Sequence, residues 1–162
     1  MKLYFLRHGI AEDISKSGLD RDRKLTEPGV EELEREADAL KRLGLNLDLL
    51  LTSPYARAFK TAEIVANRLG LKDQFQTESL LAPGFNLGSL QKMNADFDDA
   101  RSVMLVGHNF DFPIIAGQLC GGAEIDLKKG GLIRIDVDIF EPGQGTLEWV
   151  LTPKHLLAMA GR

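Results

Sequence analysis

Cysteine, tryptophan and histidine are scarce in this sequence, which holds one, one and three of them respectively. With Cys120 alone, no disulfide can close within the chain, and the composition fits a reducing compartment. No Cys/His cluster and no H-E-x-x-H spacing occurs, so the common zinc signatures are missing. No apolar run approaches the roughly 20 residues of a membrane-spanning helix, and none of signal-peptide length follows Met1. The expectation is a cytoplasmic protein without a membrane partner. Basic charge is not in excess either: 20 Lys and Arg against 24 Asp and Glu give a formal net charge of -4. That leaves no global field to hold nucleic acid or an anionic membrane, so any bound anion must be met by a local cluster of cations.

What is present is core-forming material. Hydrophobic residues make up 44% of the 162, enough for a sizeable core without a metal or disulfide staple. The glycines and prolines are dispersed between apolar segments, and no repeat or low-complexity tract appears. The expectation is one domain over residues 1–162.

Apolar periodicity gives the order of elements. Leu3 to Leu6 reads as a buried strand, followed by Arg7-His8-Gly9 and a polar loop from Glu12 to Lys24. Thr26 is a natural N-cap with Pro28 in the first turn, and Val30, Leu33, Ala37, Leu40 and Leu43 predict a helix that Gly44 stops. A strand over Leu47 to Leu51 leads to Thr52-Ser53-Pro54, then to a helix with Ala58, Ala62, Val65, Ala66 and Leu69 inward and Gly70 at its end. A short strand within Leu71 to Thr77 and a short helix around Leu87 to Met93 come next. Ser102 to Gly107 reads as a strand, and Phe110 to Leu119 as a helix with Phe110, Ile114 and Leu119 inward. Gly130 to Phe140 alternates as a strand, Thr146 to Leu151 returns antiparallel to it, and Pro153 starts a terminal helix through Leu157.

Strands alternating with amphipathic helices predict an α/β fold. The expected architecture is a three-layer α/β/α sandwich with a mostly parallel central sheet and a late antiparallel hairpin. His8, Ser53 and His108 each fall just past the C-terminal end of a predicted strand, where such sheets place ligands.

The chemistry-bearing residues cluster at those strand ends. His8 offers a nitrogen lone pair able to attack phosphorus, and Arg7 beside it offers a planar fork for two phosphoryl oxygens. Gly9 removes side-chain bulk so that the backbone can approach an anion. Arg57 falls in the first turn of a helix opened by Pro54, near unsatisfied N–H groups, although a salt bridge is its blander reading. His108 can donate to a phosphoryl oxygen if protonated or in the right tautomer. Ser53 reads as a supporting hydroxyl, Lys60 as solvated and His155 as a surface residue. Glu12 and Asp13 read as loop residues that can orient a catalytic group or shape a pocket rim. Two histidines completed by Asp13, Asp20 or Asp22 form an alternative metal site. Neither a phosphate-binding Gly-rich loop with Lys nor a Cys-x5-Arg arrangement is present.

In order along the chain, Leu6-Arg7-His8-Gly9, Leu25-Thr26 with Gly29, Ser53-Pro54 with Arg57-Ala58 and Thr61-Ala62, and Val106-Gly107-His108-Asn109 resemble the histidine phosphatase superfamily. The resemblance is greatest to its small phosphohistidine phosphatase branch, with a phosphoglycerate mutase-like fold. It extends through Lys129-Gly130-Gly131 to Trp149 and Pro153.

The resemblance implies that His8 accepts the phosphoryl group, Arg7 and Arg57 clamp its oxygens, and His108 completes the pocket, with no metal or organic cofactor. The carboxylic acid used by phosphomonoesterases and mutases of the superfamily has no convincing match here, Glu78 being the nearest candidate. The short stretch between Thr61 and Val103 leaves little room for a helical cap. Both features point to a phosphorylated protein as substrate, such as a histidine-phosphorylated signalling or phosphotransfer domain. The alternatives are a small-molecule phosphomonoesterase and a catalytically idle phosphoprotein-binding domain.

Overall fold

Six strands form one sheet: β1 (Lys2–Arg7), β2 (Leu49–Thr52), β3 (Phe75–Thr77), β4 (Ser102–Gly107), β5 (Leu132–Val137) and β6 (Gly145–Leu151). The computed structural model describes residues 1–97 and 99–161. The strand order is β3-β2-β4-β1-β5-β6. The first four strands run parallel, β5 runs antiparallel to β1, and β6 antiparallel to β5. Among the described residues, five α-helices accompany the sheet: α1 (Glu27–Arg42), α2 (Ala56–Leu69), α3 (Leu87–Met93), α4 (Asp111–Leu119) and α5 (Pro153–Ala160).

The central position of β1 and β4 follows from their composition. Both are apolar on both faces, and successive side chains enter opposite cores. Leu3 and Phe5, with Val103 and Leu105, join the core under α3 and α4. Tyr4 and Leu6, with Met104 and Val106, join the core under α1, α2 and α5. The three-layer α/β/α arrangement with a late hairpin is therefore the observed fold. Among the described residues, no helix is long and apolar enough to cross a membrane.

Local signals act as expected at most boundaries. Thr26 Oγ1 accepts the Gly29 N–H at 3.1 Å to start α1, and Gly70 ends α2 in the left-handed region. Pro54 stands just before the N-cap Tyr55, outside α2, and α5 continues past Leu157 to Ala160. Leu43 lies beyond the last residue of α1 and is exposed. Ile139 lies beyond β5 and is likewise exposed, because the strand ends at Val137.

The inward face of α4 differs from expectation. Phe110 is 73% exposed and Ile114 57% exposed; Leu119 is buried as expected, together with Phe112, Ile115 and Ala116. Both series obey helical spacing. The second wins because Phe112 fills the space beside Gly107, with its ring centroid 5.0 Å from that of Phe5 and 6.1 Å from that of Phe85. Burying such a side chain contributes about 1.5 to 3 kcal/mol.

Candidate active site

Strand register brings the two histidines together. Arg7 pairs with Gly107 across parallel β1 and β4, so the next residue of each strand emerges at the same sheet edge. The His8 N–H donates to the Gly107 carbonyl at 3.0 Å, which extends the ladder by one rung. The imidazole centroids of His8 and His108 are 5.4 Å apart. From the neighbouring β2, the Ser53 N–H donates to the Val106 carbonyl at 3.0 Å and sets Ser53 beside them.

The tautomer of His8 follows from its contacts. Nδ1 lies 2.8 Å from the Gly9 carbonyl, which can only accept, so Nδ1 carries the proton. Nε2 is left with its lone pair and accepts from Arg57 Nε at 3.2 Å. Burial, above all, pushes the His8 imidazole down to about 4; the Gly9 hydrogen bond opposes it, and the charges of Arg57, Arg7 and Lys129 each add a smaller push downward. The ring is neutral at physiological pH.

The two arginines reach the histidines from different elements. Arg7, the last residue of β1, donates from one Nη to the Leu127 carbonyl at 2.8 Å, while its Nε is buried without a hydrogen-bond partner. Arg57, in the first turn of α2, is buried. Besides its contact with His8, it donates to the Asp20 carbonyl at 2.8 Å and to the Asp20 carboxylate at 3.1 Å. The salt bridge weighed for Arg57 thus exists, with Asp20 as partner. No side chain caps α2, and within its first turn the Ala58 N–H donates to the Tyr55 carbonyl at 3.0 Å.

His108 is held by Ser53, whose Oγ lies 2.8 Å from His108 Nε2 and also accepts the Tyr55 N–H at 3.2 Å. The Tyr55 ring meets His108 edge-on at 5.3 Å, and the Arg57 guanidinium lies 5.3 Å from the centre of that same ring. His108 Nδ1 is buried with no partner. Burial first, then the positive charges of His8, Arg57 and Arg7, push this imidazole down to about 3, with Asp20 opposing. Ser53 thus has a histidine beside it. Its side chain is 0% exposed and no carboxylate orients His108, so it supports the ring and cannot meet a substrate.

Residues given no direct part in the chemistry of the histidine pair complete the framework. Thr61 Oγ1 donates to the Arg57 carbonyl at 2.8 Å and accepts the Gly9 N–H at 3.2 Å, which ties α2 to the turn after β1. A Cβ on Gly9 would come 2.4 Å from Leu33 Cδ1. The glycine therefore admits α1 against the turn; freedom for an anion is not what occupies that side. Asp20, considered only as a metal ligand, is the partner of Arg57. No spacing rule could have matched a loop aspartate to a helix arginine.

The remaining candidates lie in structural roles. Glu78 accepts the Leu80 N–H at 2.8 Å and caps a short turn after the edge strand β3. Glu12 accepts from Lys24 N and, through its carbonyl, from Arg23 Nε, stitching its own loop. Asp13 is exposed, and Lys60 pairs with Glu63 at 2.6 Å. His155 closes a capping box with Thr152 at the start of α5. Among the described residues, no three His, Cys, Asp or Glu side chains are grouped as a metal ion would need.

Comparison with known proteins follows the same line. The profile of the histidine phosphatase superfamily (branch 1) matches residues 3–110. The chain is 41% identical over 146 residues to an uncharacterized protein of Picosynechococcus sp. (strain PCC 7002), covering 83% of this chain and 84% of that one. It is 28% identical over 158 residues to the phosphohistidine phosphatase SixA of Escherichia coli (strain K12), covering 96% of each. A solved structure of the protein histidine phosphatase SixA complexed with tungstate matches with a TM-score of 0.83 at 27% identity, over 96% of this chain and 99% of that one.

Proposed function

This chain belongs to the histidine phosphatase superfamily, with a likeness to SixA that runs its whole length, and from that premise we propose that it is a phosphatase acting on phosphohistidine in other proteins. Residues 1–162 act as one domain in this reading. The observation that carries it is the state of His8: Nδ1 is committed to Gly9, and Nε2 is unprotonated, buried and beside a guanidinium.

Nε2 of His8 attacks the phosphorus in line with the substrate's P–N bond. The new N–P bond forms as the old one breaks, and the substrate imidazole leaves with the bonding pair and takes a proton from water. Water then attacks phospho-His8, the N–P bond breaks, and inorganic phosphate and neutral His8 are regenerated. Arg7 and Arg57 hold the equatorial oxygens as planar forks. In the tautomer in which Ser53 donates to Nε2, His108 carries its proton on Nδ1, and the neutral ring can then donate without first being protonated. The buried Arg7 Nε and His108 Nδ1, both without partners in the resting protein, are the groups a phosphoryl oxygen would satisfy.

Glu78 supports the choice of substrate by its engagement elsewhere. An alkoxide leaving group needs strong acid catalysis, whereas the imidazole of phosphohistidine departs with less. Rapid-quench trapping with a phosphohistidine protein should capture phospho-His8, and His8→Ala should abolish it while His155→Ala retains it. Turnover that survives His8→Ala overturns the assignment. A panel of sugar phosphates and nucleotides turned over faster than phosphohistidine would move the protein to the phosphomonoesterases. Activity lost on chelation and restored stoichiometrically by zinc would overturn the metal-free scheme.

A further inference from the structure

Asp20 is the negative charge nearest to the candidate phosphoryl clamp, and nothing in the proposed reaction uses it. Its carbonyl and carboxylate both accept from Arg57, at 2.8 and 3.1 Å, while Arg23 donates to its other oxygen at 2.8 Å. Arg23 is held in turn by the Glu12 carbonyl at 2.7 Å. The loop carrying Asp20 is closed by the Ala11 and Leu25 bridge and fastened inside by Ser15, whose Oγ donates to the Leu19 carbonyl at 2.7 Å. Arg23, Asp20, Arg57 and His8 therefore form a continuous chain of hydrogen bonds from the surface to the nucleophile.

We infer that Asp20 is a positioning residue that shares Arg57 with the phosphoryl group and so limits how tightly the site retains phosphate. This rests on the phosphatase reading above. The Asp20 carbonyl and carboxylate fix the plane of the guanidinium, which aims Nε at His8 and leaves one N–H on each terminal nitrogen uncommitted. The Asp20 carboxylate also offsets part of the positive charge that phosphate meets. Burial acts to raise its carboxyl, but hydrogen bonds and charge from Arg23 and Arg57 outweigh that effect and hold it below the ordinary aspartate range. It remains an anion wherever the enzyme works. A site with two guanidinium groups and no such counter-charge would bind the product as firmly as the substrate and release it slowly.

Asp20→Asn separates charge from geometry, because the amide oxygen and the main-chain carbonyl can still accept from Arg57. Calorimetric titration with inorganic phosphate should show binding tightened about three- to tenfold in Asp20→Asn, with the gain shrinking in high salt. Product inhibition of turnover should strengthen in parallel. Asp20→Ala, which loses the orienting acceptor as well, should lower kcat more than Asp20→Asn does. Asp22→Asn removes the same charge from a neighbour that bonds Ser17 and not Arg57, and should change phosphate affinity less than twofold. Equal or weaker phosphate binding by Asp20→Asn overturns the inference. Arg57→Ala separates the two failures. If wild-type protein binds phosphate and Arg57→Ala does not, a null result for Asp20→Asn sinks the Asp20 role alone. If wild-type protein binds none, both readings fall together.

Discussion

Arg57 Nε donates across 3.2 Å to Nε2 of His8, the same nitrogen whose lone pair an attack on phosphorus requires. That contact leaves Nε2 unprotonated and capped by a cation. In the proposed reaction, substrate binding draws that cation from nitrogen to phosphoryl oxygen before the N–P bond forms.

Replacement of Arg57 tests that transfer directly. Arg57→Ala should lower kcat/KM on a phosphohistidine protein by about 2 to 5 kcal/mol in transition-state free energy, or roughly 30-fold to several thousandfold. Arg57→Lys should recover only part, since an ammonium lacks the planar fork. Steady-state kinetics with all three proteins decides it; a loss below threefold in Arg57→Ala means the guanidinium does not touch the reacting group.

Acid should disable the enzyme late. His8 titrates at about 4 and His108 at about 3, both lowered chiefly by burial. In the proposed reaction the neutral form of His8 is the reactive one, so kcat/KM should hold through pH 6 and fall only as pH nears 4. A decline centred on the ordinary histidine value, about 6.5, would contradict the buried nucleophile.

The same shifts govern stability. Between about 6.5 and the folded values, the unfolded chain binds protons at both imidazoles that the folded chain refuses. Stability that is complete above pH 6.5 should therefore drain away as pH falls through that window. Thermal melts from pH 7.5 to 4 should show a falling Tm, with a shallower fall in His108→Asn.

Glu36 should behave in the opposite sense. It is 2% exposed, with neither carboxylate oxygen hydrogen-bonded, and burial, followed by Glu32, pushes it up to about 9. A Cβ on Gly130 would come 2.7 Å from one of its oxygens, beneath a loop whose Gly130 N–H donates to the carbonyls of Arg7 and His8. Its folded pKa is raised, so the stability it permits is full below the unfolded value near 4.5 and is lost as pH climbs towards 9. Glu36→Met should stabilise the protein at pH 7 by about 2 to 3 kcal/mol, raising Tm by several degrees, with the gain vanishing at pH 4. A lower Tm at pH 7 would show that the carboxyl finds a partner in solution.

Thr61 links two catalytic elements through one buried hydroxyl. Thr61→Val keeps the shape but strands the Gly9 N–H and removes a bond to the Arg57 carbonyl. A loss of about 1 to 3 kcal/mol in unfolding free energy is expected, together with a lower kcat, both readable by denaturant titration and kinetics. Unchanged stability would mean that water replaces the hydroxyl.

Much of this architecture was legible before folding because its signals are local. Leu3 to Leu6 and Val103 to Val106 are apolar on both faces, which only a central strand tolerates, and the residue after each strand carries an imidazole. Thr26 and Gly70 mark helix ends by a side chain or the lack of one. The misread α4 face shows the limit: Phe110 with Ile114, and Phe112 with Ile115 and Leu119, share a spacing, and only the room beside Gly107 selects between them. The Asp20 contact with Arg57 and the burial of Glu36 were illegible for a related reason. Each depends on which loop or helix folds over a residue whose own type predicts solvent.

Register, finally, ties the histidine pair to the lattice of the sheet itself. A residue inserted into β1 or β4 would turn one imidazole to the opposite layer, while the segments around the rim can lengthen or change sequence without moving either ring. The two rings therefore answer to strand alignment, a constraint that no single-residue insertion in either strand can leave unbroken.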